Sequence, residues 1–226
     1  MPPNFFPPPL TAAERRARDA DVLVAAAREG DPQAFDALVR RFRPRIYALA
    51  LHLSGSASDA DDITQDVFVN AYRHIRHFEG RSHFFTWLYR IAMNRALNAE
   101  RQRGKRASVP FDDVRVEVAM RVDAPSDPRL ALELRETYAA LLRGLDELSP
   151  GLKSAVVLVS LQGFSHEEAA VVLGTTENAL AVRMHEARKQ LRAALEAGQR
   201  RSSRKAQERR EGGFNLELAL TLAGII

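Results

Sequence analysis

Residues 78 to 95 read Phe78-Glu79-Gly80-Arg81-Ser82-His83-Phe84-Phe85-Thr86-Trp87-Leu88-Tyr89-Arg90-Ile91-Ala92-Met93-Asn94-Arg95, aromatic rings interleaved with arginines and an amide. Guanidinium groups hold phosphates and aromatic faces stack or wedge against unpaired bases, so this composition suits single-stranded nucleic acid. Phe84 and Leu88 are expected to pack inward, Arg90, Asn94 and Arg95 outward, and Trp87 is open between the two. Just upstream, Asp59, Asp61, Asp62, Gln65 and Asp66 cluster at a helix start. The helix dipole accounts for Asp59, Asp61 and Asp62, but less readily for Gln65 and Asp66 one turn further in. A third constellation, Ser165 to Met184, has the layout of a helix-turn-helix. Ser165 with Glu168 makes a capping box, Ala169 allows close helix contact, Gly174 makes the turn, and Thr176 caps the next helix. Leu180, Met184, Ala187 and Leu191 then face a core, while Asn178, Ala181, Arg183, His185, Arg188 and Lys189 form the other side. Such a helix suits a major groove, where Arg and Asn read base edges and Lys holds phosphate. A helical hairpin with a solvated face is the plainer alternative.

Enzymatic constellations are missing. No Gly-Lys-Ser/Thr phosphate loop and no His-Glu-x-x-His pair occurs. His74 and His77 lie one turn apart without a third ligand in view, so no metal, no cofactor and no catalytic residue is expected.

The elements that must position these groups are helical. Phe35, Leu38, Phe42, Ile46, Leu49 and Leu53 recur at steps of three and four, opened by Asp31-Pro32 and ended at Gly55, with a kink expected at Pro44. A second helix is expected from about Ala60 to His77, burying Ile63, Val67 and Ala71, and a third from about His83 to Gln102. From Ser108 to Pro128 the periodicity fails in an acidic, proline-punctuated stretch, with an isolated alternation at Val114, Val116 and Val118, which reads as a linker. Helical pattern resumes at Leu130, Leu134, Tyr138, Leu141 and Leu145 and restarts at Ser149-Pro150.

Composition bounds the class. The 226 residues are 46% hydrophobic, with 33 Lys+Arg against 29 Asp+Glu and no cysteine, which excludes global disorder, a disulfide framework, a thiolate zinc site and an iron–sulfur cluster. The net +4 hides an uneven distribution: residues 72 to 106 hold nine bases against Glu79 and Glu100, a local +7, directly after the four aspartates. Adjacent patches of opposite sign suggest two partners, one polyanionic, although a solvated face also carries such runs. Pro2, Pro3, Pro7, Pro8 and Pro9 oppose a signal peptide, and the apolar end from Phe214 to Ile226 falls short of a membrane span and contains Glu217. A soluble, cytoplasmic protein with no stable membrane insertion is expected.

The order Asp61-Asp62-Ile63-Thr64-Gln65-Asp66-Val67-Phe68, then Phe78-Glu79-Gly80-Arg81, then Thr86-Trp87-Leu88-Tyr89-Arg90-Ile91-Ala92-Met93-Asn94-Arg95-Ala96-Leu97, with the segment from Leu145 to Arg192, resembles a bacterial sigma factor of the extracytoplasmic-function group over roughly residues 21 to 195. The resemblance implies an all-α chain of two small helical domains joined by a flexible linker, the second containing the helix-turn-helix. The expected divisions are a flexible extension 1–20, domain 2 over 21–106, an acidic linker 107–129, domain 4 over 130–195 and a basic then apolar tail 196–226. It also implies core RNA polymerase and promoter DNA as partners, and an anti-sigma factor as a third. Asp61, Asp62, Gln65, Asp66 and Phe68 would meet the clamp helices of the largest polymerase subunit, and domain 4 would dock on the β flap. Arg81, Ser82, His83, Trp87, Arg90, Asn94 and Arg95 would engage the melted −10 element. Thr176, Asn178, Ala179, Arg183, Arg188 and Lys189 would approach the −35 duplex. Ala181 and Val182 depart from the family, which usually has a lysine or arginine and then a serine there. A stand-alone helix-turn-helix regulator, and a sigma-like antagonist without promoter activity, are the alternatives.

Overall fold

The computed structural model describes residues 12–103 and 128–206, and every described element is helical. The acidic stretch with Val114, Val116 and Val118, the prolines before residue 10 and the apolar end from Phe214 lie outside the described residues.

In the first half, α1 spans Ala12–Arg28, α2 Pro32–Ser54, α3 Ala57–His74 with a short 3-10 turn at Ile75–His77, and α4 Phe84–Arg103. The helix ends follow local chemistry. Asp31 accepts from the Gln33 and Ala34 amides at 2.8 and 3.3 Å, and Pro32 occupies the first helical position, where no amide hydrogen is needed. Gly55 closes α2 at φ 73°, a left-handed backbone that a side chain would strain, and its N–H reaches Leu51 O at 2.9 Å. The expected apolar stripe from Phe35 to Leu53 is buried throughout, and α2 runs unbroken past Pro44, which faces solvent.

Two helices run across expected divisions of the chain. Helix α1 begins at Ala12, inside the stretch expected as a flexible extension to residue 20, because Ala12, Ala13, Glu14 and Arg15 are strong helix formers and Ala20, Val24 and Ala27 bury against the domain. At the other end, the last helix continues to Ala206, past residue 195, where the expected domain 4 gives way to the basic tail.

The second half comprises α5 (Pro128–Glu147), α6 (Pro150–Val156) with a widened helical turn at Val157–Leu161, α7 (His166–Leu173) and α8 (Glu177–Ala206). Ser149 sits at the start of α6 without a side-chain capping bond; its carbonyl accepts from Lys153 N instead. Leu141, Leu142 and Leu145 of α5 and Leu180, Met184, Ala187 and Leu191 of α8 are fully or almost fully buried. Each such leucine removed from water contributes about 2 kcal/mol. The two halves also pack on one another, α4 lying against α7 and α2 against the widened turn, so that one continuous core crosses the joint.

Candidate nucleic-acid interface

Helix α3 presents its acidic residues on two faces. Asp61, Gln65, Val69 and Tyr72 follow one another at steps of four and three, and with Phe35, Val39, Arg43 and Phe68 they line a groove of about 770 Å³ between α2 and α3. Val69 is 42% and Tyr72 59% exposed, an apolar strip bounded at one end by the Asp61–Arg43 ion pair at 3.4 Å. Phe68 is almost wholly buried and forms the floor. Asp62 and Asp66 point the other way, into a polar cleft against α4 with Asp59, Asn98 and Arg95. Arg95 pairs there with Asp66 at 3.5 Å, which joins one residue expected at DNA to one expected at polymerase.

A second cavity, of about 480 Å³, is built from the turn before α4. Gly80 turns the chain at φ 73°, and Arg81, Ser82, Trp87 and Arg90 line the space with Phe78 and Glu79. Four of the seven residues expected at single strand are thus brought together. His83 is exposed at the start of α4, its carbonyl receiving Trp87 N at 3.1 Å, while Asn94 and Arg95 are exposed further along the helix. Trp87, undecided from sequence, is half-buried: it packs on Phe78 and Phe84 at ring distances of 5.2 and 5.5 Å and keeps its remaining surface on the cavity. Val171, from α7 in the other half, closes one wall.

That closure belongs to a joint the sequence did not announce. Phe164 stacks on Phe85 at 4.5 Å and 15° and meets Tyr89 edge-on at 4.7 Å. The Tyr89 hydroxyl donates to Gln162 Oε1 at 2.8 Å. Lys153, buried, donates to the Leu53 carbonyl at the end of α2 at 3.0 Å and pairs with Asp146 at 2.8 Å. Burial pushes the Tyr89 phenol well above its ordinary value of 10.0, with the Arg45 charge opposing in part. A raised phenol pKa makes the associated stability fully present below pH 10 and lost as pH rises further, because the unfolded chain ionises first. Tyr89→Phe should therefore cost about 1 kcal/mol at neutral pH through the orphaned Gln162 acceptor. It should also shallow the decline in stability above about pH 10, as read by denaturant titration across pH.

The helix-turn-helix forms as its residues dictate. Glu168 N donates to Ser165 Oγ at 3.1 Å and Ser165 N to Glu168 Oε2 at 2.9 Å, Gly174 turns at φ 61°, and Ala179 N donates to Thr176 Oγ1 at 3.2 Å. On α8 the outward stripe is Asn178, Ala181, Val182, His185 and Lys189. Thr176 is exposed at the cap, Ala179 is half-buried, and Arg183 and Arg188 lie half-buried on the flanks, with Arg188 Nε enclosed and lacking a hydrogen-bond partner.

Described residues that are all helical, with an apolar groove and an aromatic, basic cavity in one half and a helix-turn-helix in the other, are the arrangement of a two-domain transcription factor. Comparison places the family. Residues 38–106 match the pattern described as "Sigma-70 region 2" and residues 138–191 that of "Sigma-70, region 4". The chain is 33% identical over 180 residues to the RNA polymerase sigma-H factor of Pseudomonas aeruginosa, covering 77% of this chain and 92% of that protein. It is also 33% identical over 174 residues to the ECF RNA polymerase sigma-E factor of Escherichia coli K12, covering 74% and 89%. Among solved structures, CnrH in complex with the cytosolic domain of CnrY superposes with a TM-score of 0.59 at 28% identity, over 79% of this chain and 98% of that one. The sigma factor RpoE bound to the anti-sigma factor NepR from Bartonella quintana shares the fold, with a TM-score of 0.54 at 24% identity over 72% and 96% of the two chains. The chain belongs to the sigma-70 family of RNA polymerase sigma factors, in its extracytoplasmic-function group.

Proposed function

We propose that this chain joins core RNA polymerase in the cytoplasm and directs it to a restricted promoter set, with the α2–α3 groove as its main polymerase contact. The observation that carries this reading is the presence of both sigma regions on one chain in their order, with nearly the whole length of the relatives covered. Asp61, Gln65 and the Val69–Tyr72 strip, floored by Phe68, meet the clamp helices of the largest subunit. Asp66 holds Arg95 across the α3–α4 cleft, which Asp62 also lines, beside that contact. Domain 2 extends to residue 106 and domain 4 begins near residue 130, docking on the β flap.

The cavity of Arg81, Ser82, Trp87 and Arg90 accepts a flipped base of the non-template strand, with His83, Asn94 and Arg95 along the strand's path. No covalent chemistry is involved: capturing each base offsets an unstacking cost of a few kcal/mol. Thr176, Asn178, Ala179, Arg183, Arg188 and Lys189 lie at or beside the −35 duplex. An anti-sigma factor, as bound by the Bartonella relative, is a further partner. Among the described residues no helix is long and apolar enough to cross a membrane.

Purified chain added to core polymerase should yield promoter-dependent transcripts, while the free chain binds the same promoter poorly, because the packing of α7 on α4 holds the two halves together and Val171 narrows the base cavity. Tight promoter binding by the free chain, with no transcription on adding core, would restore the stand-alone regulator.

A further inference from the structure

The outward stripe of α8 has an apolar centre. Asn178, Ala181, Val182, His185 and Lys189 share that face, while the back of the helix is filled by Leu180, Met184 and Ala187. Val182 is 69% exposed, so the domain's own packing does not require it. The cations stand aside: Arg183 and Arg188 are half-buried on the flanks and Lys189 lies nearly two turns beyond Val182. In a helix-turn-helix the early residues of the second helix reach the base edges in the major groove. Every base edge there presents donors or acceptors, and only thymine adds an apolar group, its C5 methyl. Alanine and valine side chains carry neither donor nor acceptor, so the one feature they can distinguish is that methyl.

We propose that Ala181 and Val182 are specificity-determining residues that recognise thymine methyl groups at adjacent positions of the −35 element, with Asn178, one turn earlier on the same face, available to pair an adenine edge. The preferred element is accordingly A·T-containing where these residues sit, and guanine is not selected there. This rests on the reading of α8 as the −35 helix.

The test uses the full chain reconstituted with core polymerase. Sequencing the ends of the transcripts defines the −35 element, and each of its thymines is then replaced singly by deoxyuridine, which removes the methyl and nothing else. Replacement at one or two adjacent positions should weaken promoter binding by roughly fourfold each. Val182→Ser should lose a similar factor on the thymine promoter and become indifferent to uracil at the position Val182 reads, while the position read by Ala181 keeps its dependence, whereas Val182→Ile keeps the dependence at both. Promoter-dependent transcripts with no thymine in the element, or with wild-type binding unchanged by uracil at every position, overturn the methyl readout and leave the sigma assignment standing. Uracil indifference combined with weakened core binding in Val182→Ser makes the patch a protein contact and likewise overturns it. Absence of any promoter-dependent transcript overturns the sigma assignment and this inference with it.

Discussion

Val69→Asp is expected to lower the affinity of the chain for core polymerase by about two orders of magnitude, roughly 2.7 kcal/mol, while leaving helix content unchanged. Val69 is 42% exposed, so an aspartate there stays hydrated in the free chain and costs the fold little. It stands, however, in the apolar strip between Phe68 and Tyr72, and a partner helix laid into this groove would bury the carboxylate against apolar side chains, with Arg73, one turn on in the same lining, as its nearest cation. Burying a charge costs several kcal/mol, and an ion pair at the groove's edge returns only part of it. Asp61→Ala with Gln65→Ala, on the same wall, should weaken core binding more modestly. Asp62→Ala should do so least, because Asp62 faces the α3–α4 cleft. The measurement is a binding titration of labelled core. Unchanged affinity in Val69→Asp, or a larger loss in Asp62→Ala, would move the polymerase contact off this groove.

Phe164→Ala combined with Lys153→Met should open the joint between the two halves. Phe164 carries the ring stack on Phe85 and the edge contact with Tyr89, and Lys153 satisfies the terminal carbonyl at Leu53. The lost aromatic burial is worth on the order of 3 kcal/mol and the charged hydrogen bond a further 1.5 or more. A shift of that size changes a closed-to-open ratio by a factor of about 2,000. Distances between fluorophores on α2 and α8 should lengthen in the free double variant, and its affinity for a single-stranded −10 oligonucleotide should rise several-fold, because Val171 no longer walls the cavity. Helix content by circular dichroism is the control. If the distances stay at the wild-type value with helicity intact, these contacts do not hold the halves together.

The legibility of this chain follows the range of the forces involved. Helix termini are decided within four residues, so Asp31-Pro32, Gly55, the Ser165–Glu168 box and Gly174 could be read directly, and each forms as its residue types require. The buried stripes of α2 and α8 were equally legible, since spacing of three and four places residues on one face whatever that face meets. Family membership was carried by the same local strings.

What only the tertiary structure decided is which neighbour each face meets. Asp61 and Asp62 adjoin in sequence but differ by about a hundred degrees around α3, and it is the placement of α2 and α4 on either side that sends one to the apolar groove and the other to the Arg95 cleft. Arg183 and Arg188, plausible readers of DNA by residue type, are turned to the flanks by the packing of Leu180, Met184 and Ala187, which leaves Val182 outermost. The joint between the halves left no local signal at all: Tyr89 and Gln162 are 73 positions apart, and Lys153 and Leu53 are 100 apart. Local rules determine how helices begin, end and divide into faces; the contact between distant faces exists only once the whole chain has packed.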